Sequence, residues 1–228
     1  MTTNLKLLAA QIVGMFVVFA LILFLTAGTI AWLAGWIFLL LFFGFTVTLS
    51  LWLLKHNPEL LTERMTGIGK PDQKVWDKAF FAVANVLFIA WLIVMPLDAV
   101  RFHWSLVPAW LQVVGTLLLL GSFYLYFLTF RENTFLSPAV RIQSERGHTV
   151  VSTGPYHYVR HPMYATTIIF MMGITFLLGS WYGLLLELLL FIAIGFRAVQ
   201  EEQTLRTELT GYDEYKAQVK YRFIPYIW

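Results

Sequence analysis

Six long apolar runs dominate the chain, at residues 7–25, 30–54, 79–97, 106–130, 162–178 and 181–196, and they restrict its fold more than any other feature. A helix rises about 1.5 Å per residue, so roughly 20 residues cross the hydrocarbon core of a bilayer. The first four runs reach that length. The last two are shorter, and Gly179-Ser180 turns them sharply into a helical hairpin whose ends protrude from the membrane. Ala27-Gly28-Thr29 makes a tight break between the first two runs. The first run is long and lacks a convincing small-x-small cleavage site, so a retained helix is expected there rather than a signal peptide. These runs predict an all-α, polytopic transmembrane bundle of about six spans.

Composition agrees. Only 13% of the 228 residues are charged, half the share usual in soluble domains. The absence of Cys excludes disulfides, Cys-ligated metal and a thiol nucleophile. A formal net charge of +3 points weakly to nucleic acid, but the basic residues sit in short segments between the runs, where they orient spans. With six spans and the N-terminus inside, fifteen of the 16 Lys and Arg fall on the cytoplasmic side, and only Arg101 falls outside. Both termini are therefore expected in the cytoplasm. Asp98, Arg101 and His103 read as a solvated outer loop.

Two regions are expected, 1–104 with three spans and their loops, and 105–228 with the loop 131–161 and the tail 197–228. The first three spans and the polar stretch 55–78 hold no dense polar constellation. The second half holds two. In the first, between Gln143 and Tyr164, Pro162 directly after His161 suits the opening turn of a helix. Arg160 and His161 then stand at a helix N-terminus, where unpaired N–H groups and the dipole favour an anionic group. The alternative is that Arg160 and His161 are interfacial anchors facing headgroups, with the tyrosines in an aromatic belt. His148, His157 and His161 have no carboxylate at ligand spacing, so no metal is expected.

In the second constellation Arg197 and Glu201 are i, i+4, on one face of the last helix as it leaves the membrane, followed by Glu202. Glu187 lies in the middle of that span, protonated or paired with a polar group on a neighbouring helix.

The pattern Gly154-Pro155-Tyr156-x-x-Val159-Arg160-His161-Pro162-x-Tyr164, an apolar hairpin, then Arg197-x-x-x-Glu201-Glu202 and Gly211-Tyr212-x-x-Tyr215 resembles the isoprenylcysteine carboxyl methyltransferase family, to which phospholipid methyltransferases are related. The resemblance runs from about residue 131 to the C-terminus. It implies a membrane-embedded enzyme that uses S-adenosylmethionine, bound in a pocket on the cytoplasmic face. Gln143, His148, Thr149, Val150, Val151, Tyr156, Arg160, His161, Pro162, Met163, Tyr164, Glu201 and Glu202 are implied to surround the cofactor. Arg197 is implied to hold the methyl acceptor, with Arg197 and Glu201 as the catalytic pair.

Methyl transfer from a sulfonium is an in-line displacement in which charge is neutralised, so positioning and desolvation dominate over proton transfer. A carboxylate acceptor is already ionised at neutral pH and needs no general base. The expected partners are a lipid or a prenylated small-molecule or protein substrate, with membrane lipids around the chain and no nucleic acid. Two other readings stand beside this one. Membrane sterol and steroid reductases using NADPH share a distantly similar Arg-His-x-x-Tyr element, although Pro162 and the Glu201-Glu202 pair favour the methyltransferase. A non-catalytic scaffold with a relict site is the other.

Overall fold

The computed structural model describes residues 4–66 and 69–228. The Asn4 side chain accepts a hydrogen bond from the Leu7 N–H at 3.1 Å and opens α1 (Leu5–Ala27). Gly28, at φ +74°, closes that helix in the left-handed conformation that glycine adopts without a Cβ penalty. After α2 (Leu33–His56), Asn57 accepts from the Leu60 N–H at 3.1 Å and starts the short α3 (Pro58–Thr66). Next come α4 (Val75–Pro96), which continues as one π turn (Leu97–Arg101), and α5 (Ala109–Glu132). Gly179, at φ +80°, turns α6 (Pro162–Leu178) into α7 (Trp181–Glu208), where the Ser180 hydroxyl accepts from the Gly183 N–H at 2.8 Å. The last helix is α8 (Tyr212–Gln218). The described residues form no strand.

Among the described residues five helices, α1, α2, α4 with its π turn, α5 and α7, are long and apolar enough to cross a membrane. The sixth expected span, α6, has 17 residues and is the short member of the hairpin. Its partner α7 does not stop near residue 196; it continues for 28 residues to Glu208 and carries the second constellation out beyond the apolar layer. Outward side chains of the spans are mostly apolar, with Leu25 68% and Ile192 69% exposed, as lipid-facing surface requires.

The closest helix pair is α5 with α6. A Cβ built on Gly115 would lie 2.5 Å from the Leu177 nitrogen, and one on Gly173 would lie 2.7 Å from the Leu119 nitrogen. Small residues let two backbones approach, and packing then replaces the hydrophobic effect that lipid removes. Trp91, Met95, Leu119, Ile174 and Leu178 fill the space among α4, α5 and α6. Glu187 is buried and accepts a hydrogen bond from the Thr175 hydroxyl, a polar group on the neighbouring helix.

Asp98 corrects the expectation of a solvated outer loop. It is fully buried, accepting from the Ser105 and Ser180 hydroxyls at 2.6 and 2.7 Å, and so ties the end of α4 to the start of α7. A carboxylate this deep needs such donors, which the sequence spreads over three segments.

Helix direction alternates, so the start of α1, α3, the start of α4, the end of α5, the start of α6 and the end of α7 meet at one end of the bundle. Contacts across that end include Gln11 to the Met65 carbonyl at 3.3 Å and Lys74 to Glu208 at 2.7 Å.

Candidate functional site

The chain between α5 and α6 runs without regular structure except for two 3-10 turns, Ser144–Arg146 and Gly154–His157. Side chains hold it in place. The Asn133 amide donates to the Tyr156 hydroxyl at 2.9 Å, and Gln143 donates to the Phe135 carbonyl at 2.7 Å while accepting from Arg146 at 2.6 Å. From outside the segment, Glu63 of α3 accepts two hydrogen bonds from Arg141, both 3.0 Å, and one from Ser137 at 2.8 Å. Burial raises the Glu63 carboxyl, but hydrogen bonds from Arg141 and Lys70 outweigh it and hold the group down at about 2. The stretch 55–78, expected to carry no dense polar constellation, therefore supplies the anchors of this loop. Those acids look in sequence like ordinary charges of a cytoplasmic loop.

Between this loop, the start of α6, the polar end of α7 and α8 lies a polar cavity of about 100 Å³. His148, Thr149, Val150, Val151, Tyr156, Arg160, His161, Met163, Tyr164, Arg197 and Glu201 all border it, so eleven of the fourteen site residues expected from sequence are brought together. The other three stand behind the wall. Gln143 is fully buried and spends its amide on the loop itself. Pro162 opens α6. Glu202 faces away from the cavity as a buried counter-ion, 2.8 Å from Arg160, 3.3 Å from His161 and 3.8 Å from Lys216. Arg222 Nε lies 3.1 Å from the same carboxylate without hydrogen-bond geometry, a contact of charge only.

No ion pair joins Arg197 to Glu201 among the described residues, although the two lie one turn apart on α7. Arg197 Nε donates instead to Asp77 of α4 at 3.0 Å, Nη2 donates to the Pro138 carbonyl, and the guanidinium lies over the rings of Phe80 and Phe81 at 4.9 and 4.8 Å. Glu201 accepts from the Tyr164 hydroxyl. The reason is that α7 packs its Arg197 face on α4, a tertiary preference that outweighs the weak i, i+4 attraction.

His161 caps α6, and its ring stacks on Tyr164 with centroids 5.4 Å apart, while its backbone N–H donates to the Arg222 carbonyl at 2.9 Å. Arg160 is held by Glu202 and by the carbonyls of Val219 and Lys220 at 2.7 and 2.6 Å. His148 stacks on Phe135 at 4.6 Å and accepts the Gln143 N–H on Nδ1. Burial, then the nearby Arg146 charge, pushes its imidazole below the usual histidine range, so it is neutral at pH 7. Tyr156, Tyr212 and Tyr215 are raised by burial and stay protonated. Tyr212 and Tyr215, with Leu205 and Leu209, form an apolar floor that sequence reasoning did not assign to the site, although the Gly211-Tyr212-x-x-Tyr215 element contained its signal.

Two apolar cavities flank the polar one. A larger cavity, about 530 Å³, lies among α1, α2, α3, α5 and α6. A smaller one, about 250 Å³, lies between α4 and the α6–α7 pair. Met163 borders all three, and Tyr164 and Arg197 border the polar cavity and the smaller apolar one.

Most of this site, at one end of a lipid-facing bundle, lies within a recognisable segment. Residues 110–209 match the family model described as phospholipid methyltransferase. The matched segment runs from α5 to the end of α7 and holds every site residue expected from sequence, and it supports a membrane methyltransferase. Asp77, Glu63, Tyr212 and Tyr215 lie outside it. No curated protein matches the chain.

Proposed function

We propose that the chain is an integral-membrane, S-adenosylmethionine-dependent methyltransferase acting on a lipid-borne acceptor, with an isoprenylcysteine-like carboxylate as the leading candidate. Its carrying observation is a cavity lined by Glu201 together with Arg141, Arg160 and Arg197, which shares the Met163 and Arg197 walls with apolar cavities in the same bundle.

The residues present fit the cofactor by chemistry. Glu201 and the faces of Tyr164 and His161 suit a cationic sulfonium. The apolar floor of Leu205, Leu209, Tyr212 and Tyr215 suits a flat base, and the N-terminus of α6 suits a carboxylate. At about 100 Å³ the cavity is smaller than the roughly 300–1,000 Å³ usual for organic ligands, so the cofactor requires more room than this structure leaves.

Bound S-adenosylmethionine supplies an electrophilic methyl group. The chain's own part is positioning: Tyr164 and Glu201 on the cofactor side, Arg197 on the acceptor side, and the apolar cavities around a lipid chain. Burial of the meeting point excludes water, which strengthens the orienting contacts. No side chain is needed as a general base if the acceptor is a carboxylate. The site lies on the basic end of the bundle, which under the positive-inside rule supports a cytoplasmic site.

Incubating the purified protein with methyl-labelled S-adenosylmethionine and total lipid extracts tests this reading. Label is expected to enter an organic-soluble product in wild type and, at subsaturating cofactor, about ten-fold less in E201Q. Transfer that is equal in both would contradict the assigned site.

A further inference from the structure

We propose that Asp77 is the positioning residue for Arg197, so that α4, outside the segment matching the family model, completes the transfer site. This inference rests on the methyltransferase reading above.

Asp77 is fully buried in the first turn of α4. One of its oxygens takes the Arg197 Nε–H at 3.0 Å, and the other takes the Val140 N–H at 3.0 Å and the Gln73 amide at 2.8 Å. A single carboxylate thus joins α4, the cavity loop and α7. Burying an ion pair costs desolvation that its attraction only partly returns, so such a pair is better explained by the geometry it enforces than by stability.

That geometry concerns Arg197. Nε and Nη2 are committed to Asp77 and the Pro138 carbonyl, and the flat face lies on Phe80, Phe81 and Tyr164. The guanidinium therefore cannot swing. Among the described residues Nη1 has no hydrogen-bond partner, and Arg197 borders both the polar cavity and the smaller apolar one. Asp77 borders neither. It acts only through Arg197, holding one donor edge toward an acceptor that arrives between α4 and α7. Its negative charge also offsets the guanidinium's, which keeps Arg197 from gripping an anionic acceptor tightly enough to blunt it.

The test combines D77N, R197Q and the double variant, in nanodiscs, with labelled S-adenosylmethionine and the lipid extract wild type methylates. Asparagine keeps the size of the side chain and an oxygen for a donor, and removes the charge. Expected for D77N is a cofactor affinity within about two-fold of wild type and a maximal transfer rate down by about ten-fold or more. The double variant is expected to be no slower than R197Q, because Asp77 has nothing left to position. A purely structural role predicts the opposite pattern, a lower unfolding midpoint with losses of rate that multiply. Wild-type transfer rates in D77N, or multiplying losses, overturn the inference while leaving the enzyme reading intact. A wild type that binds no S-adenosylmethionine overturns both. If D77N does not purify, Q73L removes one donor from the carboxylate and leaves both charges. It is expected to slow transfer by about three-fold at unchanged cofactor affinity, and an unchanged rate overturns the inference.

Discussion

Glu201 and Glu202 are neighbours on α7, and helix geometry turns their side chains about 100° apart. Glu201 borders the cavity and takes one hydrogen bond from Tyr164. Glu202 is buried among Arg160, His161 and Lys216. Their substitutions should separate accordingly. E202Q removes the charge from a buried cluster of cations and is expected to cost on the order of 3 kcal/mol of stability, read by denaturant titration in detergent. E201Q, at a half-buried position with a neutral isostere, is expected to change stability by less than about 1 kcal/mol and to weaken cofactor binding about ten-fold or more. Equal stability losses in the two variants would mean that both carboxylates are structural. Sequence reasoning could name the pair but could not divide its labour. That division depends on which face of α7 meets the C-terminal segment, whose Tyr221 and Arg222 carbonyls accept from Arg160 and His161.

At the level of elements, the hairpin turn at Gly179, the break at Gly28 and the opening of α6 at Pro162 were all legible, because each rests on a local rule about φ or a missing N–H. The extent of α7 was not. Apolarity ends near residue 196, but helix propensity and the pairing of Arg160 with Glu202 carry the helix on to Glu208. The pairing of α5 with α6 was equally hidden, since Gly115 and Gly173 are unremarkable glycines until their backbones meet. Substituting either by alanine is expected to destabilise the protein by about 1–3 kcal/mol, because the new Cβ meets backbone atoms that cannot rotate away. G121A, whose Cβ meets nothing within 4 Å, is the control and is expected to be neutral. Thermal unfolding in detergent reads both, and equal midpoints for G173A and G121A would refute the close approach.

For the whole molecule, the apolar runs and the one-sided basic residues announced a polytopic helical bundle, and five helices are long and apolar enough to cross a membrane. The cavity loop was readable as chemistry because its motif is dense. Its anchoring was not readable, because Glu63, Asp72 and Asp77 lie 69 to 120 residues from the arginines they hold. Each arginine's partner is a product of the tertiary fold. The N-terminal half thus shapes the site as well as spanning the membrane: its acids fix the loop and Arg197, and its helices wall the larger apolar cavity.

We propose that the cavity between α6, α7 and the loop binds S-adenosylmethionine. Equilibrium binding of labelled S-adenosylmethionine and of NADPH to the purified protein in nanodiscs tests it most directly. Saturable binding of S-adenosylmethionine at one site per chain is expected, weakened in E201Q, with no binding of NADPH. Tight binding of NADPH without binding of S-adenosylmethionine would contradict the account.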